Sequence, residues 1–300
     1  MLVADAGNHR IRVVDTDGTI SSLVGGGSAT ACTYAGPATG VSLNGPRGVA
    51  VDAAGNVYVA DTGNACIRKV DPSGNVSRVA GGGSTTSCTS ASVAATALSL
   101  SNPSALAVAP DGSLVIADTG RNCVRRITGA TSTLVAGGGA TTTCTATALT
   151  ATTVSLSGPM GVAVTPTGEV LVADTGRNCV RRVVGSAVTR VAGGGTSTSC
   201  TAAATPATIS LSAPEGVDVA ADGSVVVAES GRRCLRRISA TAVTPLAFTG
   251  TNGTAGDNGP AVAATATTPS GVAVLASGDV LVSDRATATG ANDVRRVEVG

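Results

Sequence analysis

Eight cysteines carry the most distinctive chemistry in this 300-residue chain. They fall in two sets. Cys32, Cys88, Cys144 and Cys200 stand in stretches rich in Ser, Thr and Ala, while Cys66, Cys123, Cys179 and Cys234 each open a short apolar and basic run. The separations 32 to 66, 88 to 123, 144 to 179 and 200 to 234 are 34 or 35 residues. Where one set is missing, so is the other: Arg10 and Asp293 take the second cysteine's place, and the stretch before each is missing or lacks cysteine. This joint absence predicts disulfides Cys32–Cys66, Cys88–Cys123, Cys144–Cys179 and Cys200–Cys234. The competing register, Cys66 with Cys88 and onward, would strand Cys32 and Cys234. Four pairs of reduced, buried thiols are the bland alternative. Zinc is a weaker reading, because no CxxC spacing exists and His9 is the sole histidine. Four disulfides imply an oxidising compartment, so the expected location is extracytoplasmic: secreted, periplasmic or cell-surface. Closing each loop contributes about 3–4 kcal/mol on the chain-entropy account.

Acids and bases also recur. Asp61 and Arg68 lie seven residues apart, as do 5/12, 118/125, 174/181 and, with Glu, 229/236. In the sixth copy, Asp284 and Arg295, the spacing carries four extra residues. A ring of charges is one reading. A scaffold hydrogen bond made once per repeat is the other, and repetition favours it. The Gly-Gly-Gly runs at 25, 81, 137 and 193 lack the Lys-Ser/Thr of a phosphate-binding loop and read as strand exits. No nucleophile triad is present: there is no second histidine and no Gly-x-Ser-x-Gly. Asp52, Glu215 and Asp218 are the only acids in or beside the first-strand motifs, and Glu215 and Asp218 alternate onto opposite strand faces. No catalytic residue, metal ligand or cofactor is expected from these patterns.

The elements that position these groups form a repeat. The acid recurs at Asp5, Asp61, Asp118, Asp174, Glu229 and Asp284, in steps of 56, 57, 56, 55 and 55. A fixed period of this size marks a repeat architecture. In the second copy, the runs from Pro46 to Asp52, Val57 to Asp61, Cys66 to Val70 and Asn75 to Ala80 read as four strands. Ala53-Ala54-Gly55-Asn56, Thr62-Gly63-Asn64 and Asp71-Pro72-Ser73-Gly74 turn between them. Such a meander is a β-propeller blade. A long connection then runs from Gly81 to Pro103; it and its analogues, including the Ala/Thr run from Thr145 to Thr153, read as loop. The fold class predicted is all-β: a single six-repeat β-propeller with four-stranded antiparallel blades. The blades are expected at 1–27 (partial, without its first strand), 46–83, 103–139, 159–195, 214–250 and 269–300 (partial, without its fourth). The abrupt start and end inside repeats suggest a piece of a longer chain.

Composition fits. Apolar residues make up 43%, mostly Val, Ala, Leu and Ile, with Tyr34, Tyr58 and Phe248 the only aromatics. The core must therefore be built from small and β-branched contacts. A net charge of +1 gives no global pull toward nucleic acid or an anionic membrane. No apolar run is long enough for a transmembrane helix.

The motifs resemble the NHL-repeat family of propellers. Val-Ala-Asp-Thr-Gly-Asn before a basic strand, a Gly-rich loop, then Asn44-Gly45-Pro46-Arg47-Gly48-Val49-Ala50-Val51-Asp52 carry the resemblance, along with Ala4 to Arg12 and Gly256-Asp257-Asn258-Gly259-Pro260-Ala261. It covers nearly the whole chain. It implies a propeller, commonly of six blades, in a family of protein-binding, RNA-binding and sensor modules related to some propeller enzymes. The chain departs from the pattern at the His after Asn8, which becomes Ala65, Asn122, Asn178 and Arg233 later on.

Departures from symmetry point to binding. The residue after the loop proline is Arg47, Ser104, Met160, Glu215 or Ser270, expected near the mouth of the central channel. Turns after the second strands carry Arg121, Arg177, Arg232, Arg233 and Arg285. Arg121, Arg177 and Arg232 form a candidate basic arc; solvated turn charge is the competing account. The binding residues expected are thus Arg121, Arg177, Arg232, Arg233, Arg47 and Glu215. The function read from the sequence is a non-catalytic recognition or scaffold module for a protein or glycan partner, met on its stapled loops. A metal-dependent propeller lyase or lactone hydrolase is the alternative. Scarce aromatics and the implied disulfides argue against nucleic acid.

Overall fold

In the computed structural model, residues 1–285 and 292–299 are described. Residues 286–291, which hold the surplus of the sixth Asp–Arg spacing, and Gly300 lie outside them; both belong to the expected sixth blade. The chain is an all-β, six-blade propeller. Among the described residues its sheets hold three, five, five, five, four and three antiparallel strands in chain order. Two compact units divide it, Met1–Gly138 with the first three blades and Gly139–Gly300 with the last three.

Within the first unit, the third blade illustrates the design. Strands Pro103–Val108, Leu114–Asp118, Cys123–Thr128 and Thr131–Gly137 pair in sequence order. The register places Asp118 opposite Cys123 and Leu114 opposite Ile127. The second strand is buried at every position. Ala60, Ile67 and Ala80 of the second blade pack against Leu106, Ile116 and Ile127 of the third in one apolar cluster. In the second unit, Leu171, Val180 and Ala192 meet Val217, Val227 and Val243 in the same way. Small side chains let the inner strands come close: a Cβ on Gly216 would sit 2.2 Å from the carbonyl oxygen of Ser270 on the next blade.

The long connections are more structured than the sequence suggested. Val93–Ala94 pairs with the outer edge of strand Thr131–Gly137, and a 3-10 turn follows at Ala95–Ala97. Leu149–Thr150 and the turn Ala151–Thr153 repeat this in the fourth blade. The outermost strand would otherwise expose a row of unpaired backbone groups, and the connection covers its end. Ala95 and Leu98 are fully buried beneath it. The first and sixth sheets, Leu2–Asp5 to Ile20–Val24 and Pro269–Val274 to Asp293–Val297, each have three strands.

Candidate functional site: the stapled connections

The cysteine-bearing connections entering the second, third and fourth blades are fastened at three points, and the one entering the fifth blade shares the first two. The first is a disulfide. Cys32–Cys66, Cys88–Cys123, Cys144–Cys179 and Cys200–Cys234 are bonded, with Cα separations of 6.0, 6.3, 6.7 and 5.6 Å. The predicted pairing holds because the connection enters its blade beside the turn that precedes the third strand.

The second point is the recurring carboxylate. Asp61 accepts from Arg68 Nε at 2.7 Å, Asp118 from Arg125 Nε at 3.4 Å and Asp174 from Arg181 Nε at 2.8 Å, while Glu229 accepts from Arg236 Nε. The other oxygen of each accepts the backbone N–H of Asn44, Ser101, Ser157 or Ser212, each at 2.8 Å, just before the first strand. These pairs are buried; Asp5 and Arg12 in the first blade are a quarter exposed. Asp284 lies 3.9 Å from Arg295, which instead reaches Asp257 at 2.8 Å. Burial pushes the carboxyls of Asp118, Asp174 and Glu229 up, against the pull of the N–H groups and guanidiniums around them.

The third point is the far end of the same arginine. Arg68 donates to the carbonyls of Thr30, Ala31 and Cys32, Arg125 to Ser87 O at 2.9 Å, and Arg181 to Thr143 O at 3.2 Å. The Asp–Arg motif is therefore scaffold, binding three segments together in the second, third and fourth blades. The glycine runs are scaffold too: Gly81 has φ +90° and a Cβ there would fall 2.3 Å from Ala65 O.

The expected binding residues sit as follows. Arg121 donates from Nε to Ser99 O and from Nη2 to Ser99 Oγ, both at 3.1 Å. Arg177 Nη2 reaches Ser155 Oγ at 3.5 Å, and Arg232 Nη2 reaches Ser210 Oγ at 3.1 Å. All three are half-buried along the entering connection. Arg233 donates from Nε to Thr267 O of the next blade at 3.2 Å. Arg47 is exposed. Glu215 pairs with Arg285 at 2.7 Å. In the second unit this joins the strand Pro214–Val219 of the fifth blade to the sixth.

A latch between blades was missed in the sequence. In the first five blades the residue before the strand that carries the recurring arginine adopts the left-handed conformation: His9, Ala65, Asn122, Asn178 and Arg233 have φ between 53° and 58°. Asn178 Oδ1 accepts from Ala213 N at 2.8 Å, and His9 Nδ1 accepts from Gly45 N at 2.9 Å. The histidine thus acts in structure. Two asparagines at this position were the available signal, since Asn tolerates positive φ.

Among the described residues, no three side chains of His, Cys, Asp or Glu converge as a metal-binding set. No helix among them is long and apolar enough to cross a membrane.

Comparison with known proteins agrees with this architecture. The family profile of the teneurin NHL domain matches residues 26–239. No curated protein matches the chain. Among solved structures, virginiamycin B lyase from Staphylococcus aureus superposes with a TM-score of 0.56 at 13% identity, covering 100% of this chain and 81% of that one. A gluconolactonase from Xanthomonas campestris gives 0.60 at 15% identity, covering 94% and 78%. A structural-genomics protein of unknown function from Bacteroides thetaiotaomicron gives 0.66 at 15% identity, covering 94% and 63%. At such identities the likeness is one of fold.

Proposed function

The chain belongs to the teneurin NHL-domain family, and from that premise we propose that it is a non-catalytic recognition or scaffold module working outside the cytoplasm. A protein or glycan partner docks on the disulfide-stapled connections. The observation that carries this reading is the fastening of the connections by disulfide and carboxylate, with an arginine as a third point in the second, third and fourth blades. Loops held on a rigid scaffold bind with little ordering cost. The turns at the other end of the strands, such as Asp71 to Gly74, are tight and offer little surface. Four disulfides suit an oxidising compartment.

Exposed Thr33, Thr89 and Thr201, each next to a stapled cysteine, allow a test that spares the arginines. The wild type, a Thr33→Arg/Thr89→Arg/Thr201→Arg variant and an Asp71→Ala/Asp111→Ala variant are each used to capture partners from the source organism's extracellular fraction. The reading expects a partner lost by the threonine variant and kept by the aspartate variant. The opposite pattern overturns the choice of surface. Lactone hydrolysis or lyase turnover that a chelator abolishes would replace the module with an enzyme.

A further inference from the structure

Three blades set two arginines against one acid. Arg121 and Arg125 flank Asp118, Arg177 and Arg181 flank Asp174, and Arg232 and Arg236 flank Glu229. The first two blades set one such arginine against the acid. There Asn8 and Asn64 replace the first arginine, and their Nδ2 groups donate to Asp5 and Asp61 at 3.0 and 2.9 Å. The arginine version leaves one positive charge in excess. The connections that cover it, 140–159 and 196–214, contain no acid to offset it. In the fourth blade Arg190, on Cys144 O at 3.4 Å, adds to the positive charge.

The third blade employs its arginines fully on Ser99, Ser87 and Asp118. The fourth and fifth do not. Arg177 Nε and Arg181 Nη2, and Arg232 Nε and Arg236 Nη1, are buried and have no hydrogen-bond partner among the described residues, although Arg232 Nε faces Glu229 Oε2 at 3.7 Å. Arg181 is 1% exposed and Arg236 0%. A buried ionised donor without an acceptor is costly, and a guanidinium sheds its hydration more readily than an ammonium. In each blade the excess charge and two of the three buried arginine nitrogens without a hydrogen-bond partner fall on the same two guanidiniums, the third being Arg182 Nε or Arg237 Nε on the neighbouring residue.

We propose that the fourth and fifth blades each bind one monovalent inorganic anion of the chloride class, at the guanidinium pairs Arg177 with Arg181 and Arg232 with Arg236. One negative charge offsets the excess of each arginine pair over its acid, and a spherical ion accepts from donors on both arginines. The site lies behind the connection, so it is independent of any partner docked on the exposed side. Its role is to complete the fastening that the blade's own carbonyls leave unfinished.

Chloride NMR line width and thermal unfolding test this together. Wild-type protein broadens the chloride line, bromide competes the broadening away, and Tm rises as chloride replaces gluconate at constant ionic strength. Arg177→Asn with Arg232→Asn, which copies the neutral solution at Asn64, removes both effects. Arg121→Asn keeps both. Should the double variant not fold, each single variant removes about half of the broadening, as expected when a bound anion is lost with its site. No broadening by the wild type overturns the proposal, and so does equal broadening by the variants.

Discussion

Asn178 holds Ala213 through a hydrogen bond from Ala213 N to its side-chain Oδ1, 2.8 Å long, and His9 holds Gly45 in the same way across the first two blades. Both acceptor residues sit at positive φ just before a third strand, and both donors lie at positive φ just before the next blade's first strand. The pairs fix the spacing of adjacent blades at the same end as the disulfides.

In the second blade that position is Ala65, with φ 53° and no side chain to reach Asn102. Ala65→Asn supplies a residue that tolerates the left-handed conformation and an acceptor for Asn102 N. The expected gain is about 1–2 kcal/mol, from relief of strain and one added hydrogen bond. Denaturant unfolding measures it; a loss of stability would mean the latch does not transfer between blades.

Breaking the buried Asp118–Arg125 pair from one side leaves a charge without its partner. Asp118→Ala costs about 3–5 kcal/mol, and it also releases Ser101 N. Asp118→Ala with Arg125→Met costs less than the sum of the single changes, because no guanidinium is left orphaned. Strict additivity in a double-mutant cycle would show that the two groups act separately.

Removing one staple, as Cys88→Ser with Cys123→Ser, lowers stability by about 2–4 kcal/mol. The connection stays attached through Arg125 to Ser87 O and Asp118 to Ser101 N. Far-ultraviolet circular dichroism of the variant at room temperature should therefore match the wild type, with only Tm reduced. Collapse of the β signal would show that the disulfide alone holds the blade.

Stability depends on pH through two opposed sets of carboxyls. Burial raises Asp118, Asp174, Asp218 and Glu229, so their contribution is full below the unfolded values and lost as pH climbs through the folded ones. Hydrogen bonds within turns lower Asp111 and Asp222, whose contribution is present above the unfolded value and lost as pH falls through the folded one. Asn56 lowers Asp52 in the same sense, and Arg296 lowers Asp279. The two limbs meet near pH 4, close to where free carboxyls titrate. Tm measured from about pH 2 to 8 should peak there. A steady rise to neutrality would mean that the buried carboxyls are held charged more firmly than their desolvation allows.

Repetition made the fold legible in the sequence. The period near 56 residues, the alternation of short β-branched runs with Gly, Asn and Pro turns, and the paired loss of cysteines at the ends fixed blade number, strand order and disulfide pairing. These features are local or repeated, so one copy corroborates another. Tertiary structure alone decided what the asymmetric residues do. Arg121, Arg177 and Arg232 look alike in sequence, yet only Arg121 finds acceptors for both its Nε and its Nη2 on the serine of its connection, while the buried Nε of Arg177 and Arg232 makes no hydrogen bond. The cause is the path of a connection some twenty residues upstream, which sets whether a carbonyl comes within reach; spacing along the chain does not encode it. The short strands Val93–Ala94 and Leu149–Thr150 were hidden for the same reason, since their pairing is dictated by the open edge they meet rather than by their own residues.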